Sequence, residues 1–176
     1  MTQVRRARFG GSGDDAEPCR TLMREYAAHL NASVGDEHIC VTTLEKELAG
    51  LPGPYAEPAG AVLLAFVEDK PAGCVALKPV QINGAGAERV CEMKRLWVRP
   101  EYQARGLGRA LTQAALDLAR ELGYSAIVLD SMPRTMQAAC ALYRSMGFEL
   151  LRGSYDSAAN RLMDVGEMVY LRRELA

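Results

Sequence analysis

Two periods alternate along the chain. Val4 to Phe9 is a short strand candidate, broken by Gly10-Gly11-Ser12-Gly13. Asp14-Asp15 then supply helix N-cap chemistry, and Cys19, Leu22, Met23, Tyr26, Ala27 and Leu30 follow at amphipathic-helix spacing. A short helix is predicted over Thr43 to Ala49, closed by Gly50 and Pro52, and the Pro/Gly-rich stretch Leu51 to Gly60 reads as a loop. Ala61 to Val67 is continuously apolar, as in a strand covered on both faces. Glu68-Asp69-Lys70-Pro71 reads as a hairpin turn, Ala72 to Leu77 as the returning strand, and Gln81 to Glu88 as another turn.

Val90 to Val98 is a third strand with a parity switch. Cys91 and Met93 share one parity, Leu96 and Val98 the other, and such a switch is what a β-bulge would produce. Pro100 ends it. The clearest stripe follows: Leu107, Ala110, Leu111, Ala114, Ala115, Leu118, Ala119 and Leu122, with Gly123 as C-cap. Ala126 to Leu129 is a short buried strand. Met136, Ala139, Cys140 and Tyr143 mark another helix, closed by Gly147, and Phe148 to Leu151 and Glu167 to Leu171 are final strands. The predicted order is β-α-α-β-β-β-α-β-α-β-β, an α/β (α+β) class.

Composition narrows this without changing it. The 176 residues suit one domain spanning 1–176, with 49% hydrophobic and 24% charged residues. Lys and Arg total 21 against 22 Asp and Glu, which speaks against a dedicated nucleic-acid binder. The longest apolar run, Gly60 to Val67, is far short of the ~20 residues of a membrane span, and no secretion signal is visible, so a cytoplasmic protein is expected. The five cysteines, Cys19, Cys40, Cys74, Cys91 and Cys140, form no C-x-x-C pair. They read as buried small hydrophobes rather than a metal site or disulfide framework.

The chemistry concentrates in Gln103-Ala104-Arg105-Gly106-Leu107-Gly108-Arg109-Ala110, between a strand and a strong helix. Glycines at a helix entrance let a ligand approach the backbone, and first-turn N–H groups have no intrahelical partner and favour anions. A phosphate or pyrophosphate suits such a site, with Arg105 and Arg109 adding charge. A Walker A string is absent. A dinucleotide fingerprint is approached by Gly106-Leu107-Gly108-Arg109-Ala110-Leu111, with Leu at its last position and Asp130 near its acidic position, but it would sit after a mid-chain hairpin.

The Q-x-x-G-x-G string of Gln103, Gly106 and Gly108 resembles the cofactor loop of the GNAT N-acetyltransferase superfamily. Cys91 to Pro100 resembles that family's fourth strand, and Ala141-Leu142-Tyr143-Arg144-Ser145-Met146-Gly147-Phe148 its A-L-Y-x-x-x-G-F segment. The likeness covers Val62 to Leu171 well and the N-terminal part loosely. It implies a mixed, mostly antiparallel central sheet flanked by helices. It also implies acetyl-CoA as cosubstrate, no metal, and direct transfer to a primary amine of a small molecule, amino acid or peptide by a monomer or homodimer.

By the same resemblance, the backbone of Leu96, Trp97 and Val98 holds the pantetheine arm, and the Leu96 N–H faces the thioester carbonyl. Residues Gln103, Ala104, Arg105, Gly106, Leu107, Gly108 and Arg109 hold the pyrophosphate. Tyr143 protonates the departing thiolate, or is a core aromatic. Glu92, charged in an apolar strand, is the general base, or a structural carboxylate paired with Lys94, Arg95 or Arg89. One departure is Met136, where many members carry a cofactor-touching Asn. The acceptor pocket is expected from the first helices, the Leu51–Gly60 loop and the Gly153–Asp164 loop. The rival readings are a non-catalytic acyl-CoA-binding protein of the same fold and a dinucleotide-binding oxidoreductase.

Overall fold

The computed structural model describes residues 1–34, 41–82, 88–151, 155 and 168–175. Its elements are β1 (Thr2–Arg6), α1 (Ala16–Val34), α2 (Val41–Ala49), β2 (Ala61–Val67), β3 (Lys70–Val80), β4 (Val90–Val98), α3 (Leu107–Glu121), β5 (Ala126–Ser131), α4 (Gln137–Ser145), β6 (Glu149–Leu150) and β7 (Val169–Glu174). The predicted order holds. The first strand ends three residues early: Ala7 N–H still donates to the Val62 carbonyl of β2 (2.8 Å), and the chain then turns toward α1. There Asp14 caps the helix through Ala16 N–H (2.9 Å), while Asp15 instead pairs with Arg5 (2.6 Å) and accepts from Arg8 N–H (2.8 Å). The hairpin turn is the two residues Glu68 and Asp69, both left-handed (φ 49° and 62°), so β3 starts at Lys70. The expected turn at Gln81–Glu88 and the Gly153–Asp164 loop fall largely outside the described residues, as do Cys40 and His38.

The seven strands lie in the order β1-β2-β3-β4-β5-β7-β6. Every pairing is antiparallel except β4 with β5, which run parallel and meet only from Val90–Glu92 against Ala126–Val128. Beyond Val128 the two central strands have no ladder between them, so a gap opens in the middle of the sheet.

Both faces are covered. On one, α3 and α4 bury Leu111, Ala115, Leu116 and Tyr143 against Leu63, Val75, Leu77, Met93, Ile127 and Leu129. On the other, α1 and α2 bury Leu22, Met23, Leu44 and Leu48 against Val62, Leu64, Cys74, Ala76 and Trp97. The unbroken apolar run of β2 follows from this: its odd and even residues each have a core to enter. Cys19, Cys74, Cys91 and Cys140 are free and buried, with burial pushing the Cys19 and Cys91 thiols up to about 12. No helix among the described residues is long and apolar enough to cross a membrane.

Candidate active site

The site begins at an irregularity in β4. Cys74 pairs with Trp97 and Ala76 with Lys94, so Arg95 and Leu96 together oppose Val75 alone. This bulge is the predicted parity switch, and Arg95 carries it with φ at 59°. A left-handed arginine in a strand costs roughly 1–2 kcal/mol. Its side chain is tied down: the guanidinium pairs with Glu47 of α2 at 2.8 and 3.3 Å, and the Tyr55 hydroxyl donates to Glu47 at 2.7 Å. Burial pushes the Glu47 carboxyl up, but the Arg95 charge and the hydrogen bonds from Arg95 and Tyr55 outweigh it and leave it below the usual carboxylate range.

After β4, Pro100–Tyr102 forms a single 3₁₀ turn. The Gln103 amide donates back to the Val98 carbonyl at 2.9 Å and fixes the loop on the strand. Ala104 and Gly106 are left-handed (φ 58° and 81°), turning the chain into α3. No side chain caps this helix, so its first N–H groups are open donors. A Cβ built on Gly108 would meet only Leu142 Cδ2, at 3.5 Å.

A cavity of about 630 Å³ joins the bulge to this helix entrance. It is lined by Leu96, Trp97, Val98, Gln103, Ala104, Gly106, Leu107, Gly108 and Arg109, thus by every residue expected at the cofactor except Arg105. Arg105 is exposed and sits over the Tyr102 ring at 5.9 Å. Leu107 is buried, so only its backbone can serve a ligand. Arg109 donates to Ser145 Oγ at 2.7 Å. Met136, the departure noted in the sequence, lies in the wall.

Neither expected catalytic side chain is in that wall. Tyr143 packs its ring against Phe148 at 5.6 Å and is 5% exposed, and no hydrogen bond engages its hydroxyl among the described residues. Burial, followed by Tyr26, Cys140 and Asp130, raises the phenol above its usual range. Glu92 is fully buried, 0% exposed. Its Oε1 accepts from Tyr155 (3.1 Å) and Lys94 (3.3 Å). Lys78 Nζ lies 3.1 Å from Oε2, off the line of a hydrogen bond, so that oxygen meets charge alone. Of the three partners expected from sequence only Lys94 is present. Arg95 has gone to Glu47, and Arg89 lies over the Tyr124 ring at 5.2 Å.

Helix α1 contributes what the sequence pattern hid. Tyr26, His29, Leu30 and Ser33 line the cavity. His29 meets the Trp97 ring at 5.0 Å, and Trp97 Nε1 donates to Glu25 at 3.1 Å. Arg99 also pairs with Glu25, at 2.8 Å, and with Trp97 holds its carboxyl below the usual range. The i, i+3, i+4 spacing of Tyr26, His29 and Leu30 was the available signal, but it reads equally as a core stripe. No group of three or more His, Cys, Asp or Glu among the described residues could hold a metal ion.

The acetyltransferase (GNAT) family model matches residues 20–148. An uncharacterized N-acetyltransferase of Schizosaccharomyces pombe is 32% identical over 163 residues, spanning 92% of this chain and 90% of that protein. Among solved structures, yncA of Salmonella typhimurium with its cofactor acetyl-CoA superposes with a TM-score of 0.71 at 18% identity, over 100% of this chain and 95% of that one. The PaiA N-acetyltransferase of Thermoplasma acidophilum, in complex with coenzyme A, gives 0.71 at 18% identity over 99% of both chains.

Proposed function

The chain belongs to the acetyltransferase (GNAT) family, and on that premise we propose that it moves an acetyl group from acetyl-CoA directly to a primary amine of a small molecule, amino acid or peptide. The observation that carries this reading is a cavity that runs from the open α3 N-terminus to the β4 bulge. Its volume lies within the range of cofactor sites. The pyrophosphate meets the N–H groups of Gly106 to Arg109, with the Arg105 and Arg109 charges beside it. The bulge turns backbone from strand pairing toward the ligand, and the Leu96 N–H faces the thioester carbonyl, where it stabilises negative charge developing on oxygen.

The amine nitrogen attacks the thioester carbon, the C–N bond forms and the C–S bond breaks. One proton leaves the acceptor nitrogen and one joins the sulfur. Tyr143, its hydroxyl unengaged, supplies the sulfur's proton. A phenol raised above its ordinary value gives that proton up only as charge builds on sulfur, late in the reaction. Glu92, out of reach of the cavity, receives the amine's proton through Tyr155, which passes its own proton to Oε1 while taking one from the nitrogen.

A free-thiol assay across amine classes tests the proposal. Acceptor-dependent release of CoA thiol is the expected result. Tight CoA binding with no thiol released by any amine class would make the protein an acyl-CoA binder instead.

A further inference from the structure

One thiol touches the bulge at the peptide whose N–H faces the thioester in the proposed reaction. Cys74 lies on β3 with its side chain among Leu22, Met23, Leu64 and Trp97, in the core under α1 and α2. Its Sγ donates to the Arg95 carbonyl at 3.4 Å. The thiol is fully buried, and burial raises it above its ordinary range, so it keeps its proton and remains a donor. That carbonyl and the Leu96 N–H belong to one peptide unit. The bond between them is trans, so the two groups point opposite ways across its plane. A carbonyl turned to Cys74 therefore turns the N–H away from β3, to the side where the described ladder between β4 and β5 has stopped at Glu92.

Two other contacts hold the chain on either side but do not grip this plane. The Arg95 guanidinium is tied to Glu47 of α2 at 2.8 Å, and Trp97 Nε1 donates to Glu25 of α1 at 3.1 Å. A peptide plane turns between fixed Cα atoms by opposite changes in the ψ of one residue and the φ of the next, and neither side chain has to move. The φ of 59° at Arg95 concerns the preceding peptide and does not prevent that turn. Among these contacts, the one from Cys74 is made to the plane itself.

We infer that Cys74 is a positioning residue of the reaction: by holding the Arg95 carbonyl, its thiol aims the Leu96 N–H at the thioester carbonyl. This rests on the transferase reading and gives a part in it to a side chain outside the described cavity wall. Serine, a donor of nearly the same size, keeps the hold on the carbonyl, and alanine loses it.

The test compares wild type, Cys74→Ser and Cys74→Ala. The two variants differ from each other by a hydroxyl, which is the donor. Isotope-labelled protein is titrated with acetyl-CoA and, separately, with CoA, and the Leu96 amide proton is followed by NMR. A contact with the thioester carbonyl moves this resonance downfield with acetyl-CoA and not with CoA. That displacement should appear in wild type, survive in Ser and collapse in Ala, while CoA binds all three proteins equally. With an amine that supports thiol release, Ala should lower kcat about tenfold at unchanged acetyl-CoA KM, short of the roughly 10²–10³-fold that deleting an oxyanion donor costs, and Ser should recover most of the loss. Tm should order the variants the other way, Ala at or above Ser, because Ser places a hydroxyl among apolar side chains. If the residue only packs, activity follows Tm. Ala equal to or above Ser in displacement and in kcat therefore overturns the inference, as does a wild-type Leu96 resonance that does not distinguish acetyl-CoA from CoA. If Ala does not fold, Cys74→Val, equally without a donor, is read by the same criteria. A Cys74-dependent displacement with no thiol released by any amine class keeps the aimed N–H and removes the transferase reading, whereas thiol release with Ala indistinguishable from wild type does the reverse.

Discussion

Replacing Gly108 with Glu separates cofactor binding from fold stability, because the two should move in opposite directions. Gly108 is the second residue of α3, whose N-terminus has no side-chain cap. A Cβ there meets Leu142 Cδ2 at 3.5 Å, an ordinary contact, so the free protein accommodates a side chain. Glu is a better helix former than Gly by nearly 1 kcal/mol, and a carboxylate in the first turn adds about 0.3–1 kcal/mol. At about 2–4 °C per kcal/mol for a domain of this size, Tm should hold or rise by a few degrees. Binding should fall. A carboxylate about 4 Å from a pyrophosphate charge, at an effective dielectric near 20, costs about 4 kcal/mol, roughly a thousandfold in Kd. Even turned away to about 8 Å it costs half as much, roughly thirtyfold. Calorimetric titration of CoA measures the loss, and Gly108→Gln, the same shape without charge, divides it into steric and electrostatic parts. A folded Gly108→Glu protein that binds CoA as wild type does would refute the placement of the pyrophosphate at this helix.

Three further outcomes are expected. Tyr143→Phe should keep Tm, since no hydrogen bond is lost, while kcat falls about 10²–10⁴-fold with acetyl-CoA KM little changed. A wild-type kcat would assign the residue to the core. Glu92→Gln should abolish the ionisation through which kcat/KM rises with pH, with a loss that shrinks as the acceptor amine becomes neutral on its own, and Tyr155→Phe should reproduce the profile. A lowered melting point beside an unaltered profile would make Glu92 a structural partner of Lys78 and Lys94. Glu47→Gln should destabilise the protein by about 3 kcal/mol at neutral pH, roughly 6–12 °C, by leaving Arg95 buried and unpaired. Because the Glu47 carboxyl sits below its ordinary range, wild type holds this stability above about pH 4 and loses it as pH falls further, so the gap between the two proteins should close in acid.

What the sequence made legible was whatever depends on neighbours along the chain. The bulge was readable because an extra residue must flip side-chain parity, and Met93 and Leu96 do lie against one core although three residues apart. The entrance to α3 was readable because Gln103, Gly106 and Gly108 sit in one short string. Contacts across the sheet were not. Lys94 lies two residues from Glu92 on the same strand face and could be named, but Lys78 becomes its neighbour only through the register of β3 against β4. Glu47 reaches Arg95 from helix α2, 48 residues away. Asp130 was visible only as a spacing match to a dinucleotide motif, because its position past the last β4–β5 pair depends on where that pairing stops.

The bulge also shows why its left-handed residue is an arginine. Glycine would hold φ near 59° without strain, and the strand would still shift register. It would, however, leave the bulge attached to nothing but its own ladder. Arg95 accepts the strain and, in exchange, reaches Glu47, which Tyr55 holds in turn, while its guanidinium lies 5.9 Å from the Tyr26 ring. The residue that shapes the bulge is thereby fixed to α2 and close to α1, a helix that lines the cavity. Two residues along, Trp97 repeats the connection through Glu25 and His29 of α1. On the proposed function, the backbone that faces the thioester is thus positioned from the α1–α2 face of the sheet, and the α3 entrance takes the cofactor from the other. On that reading the two ligands meet at the gap between β4 and β5, where the ladder of the described residues stops at Glu92 and Val128.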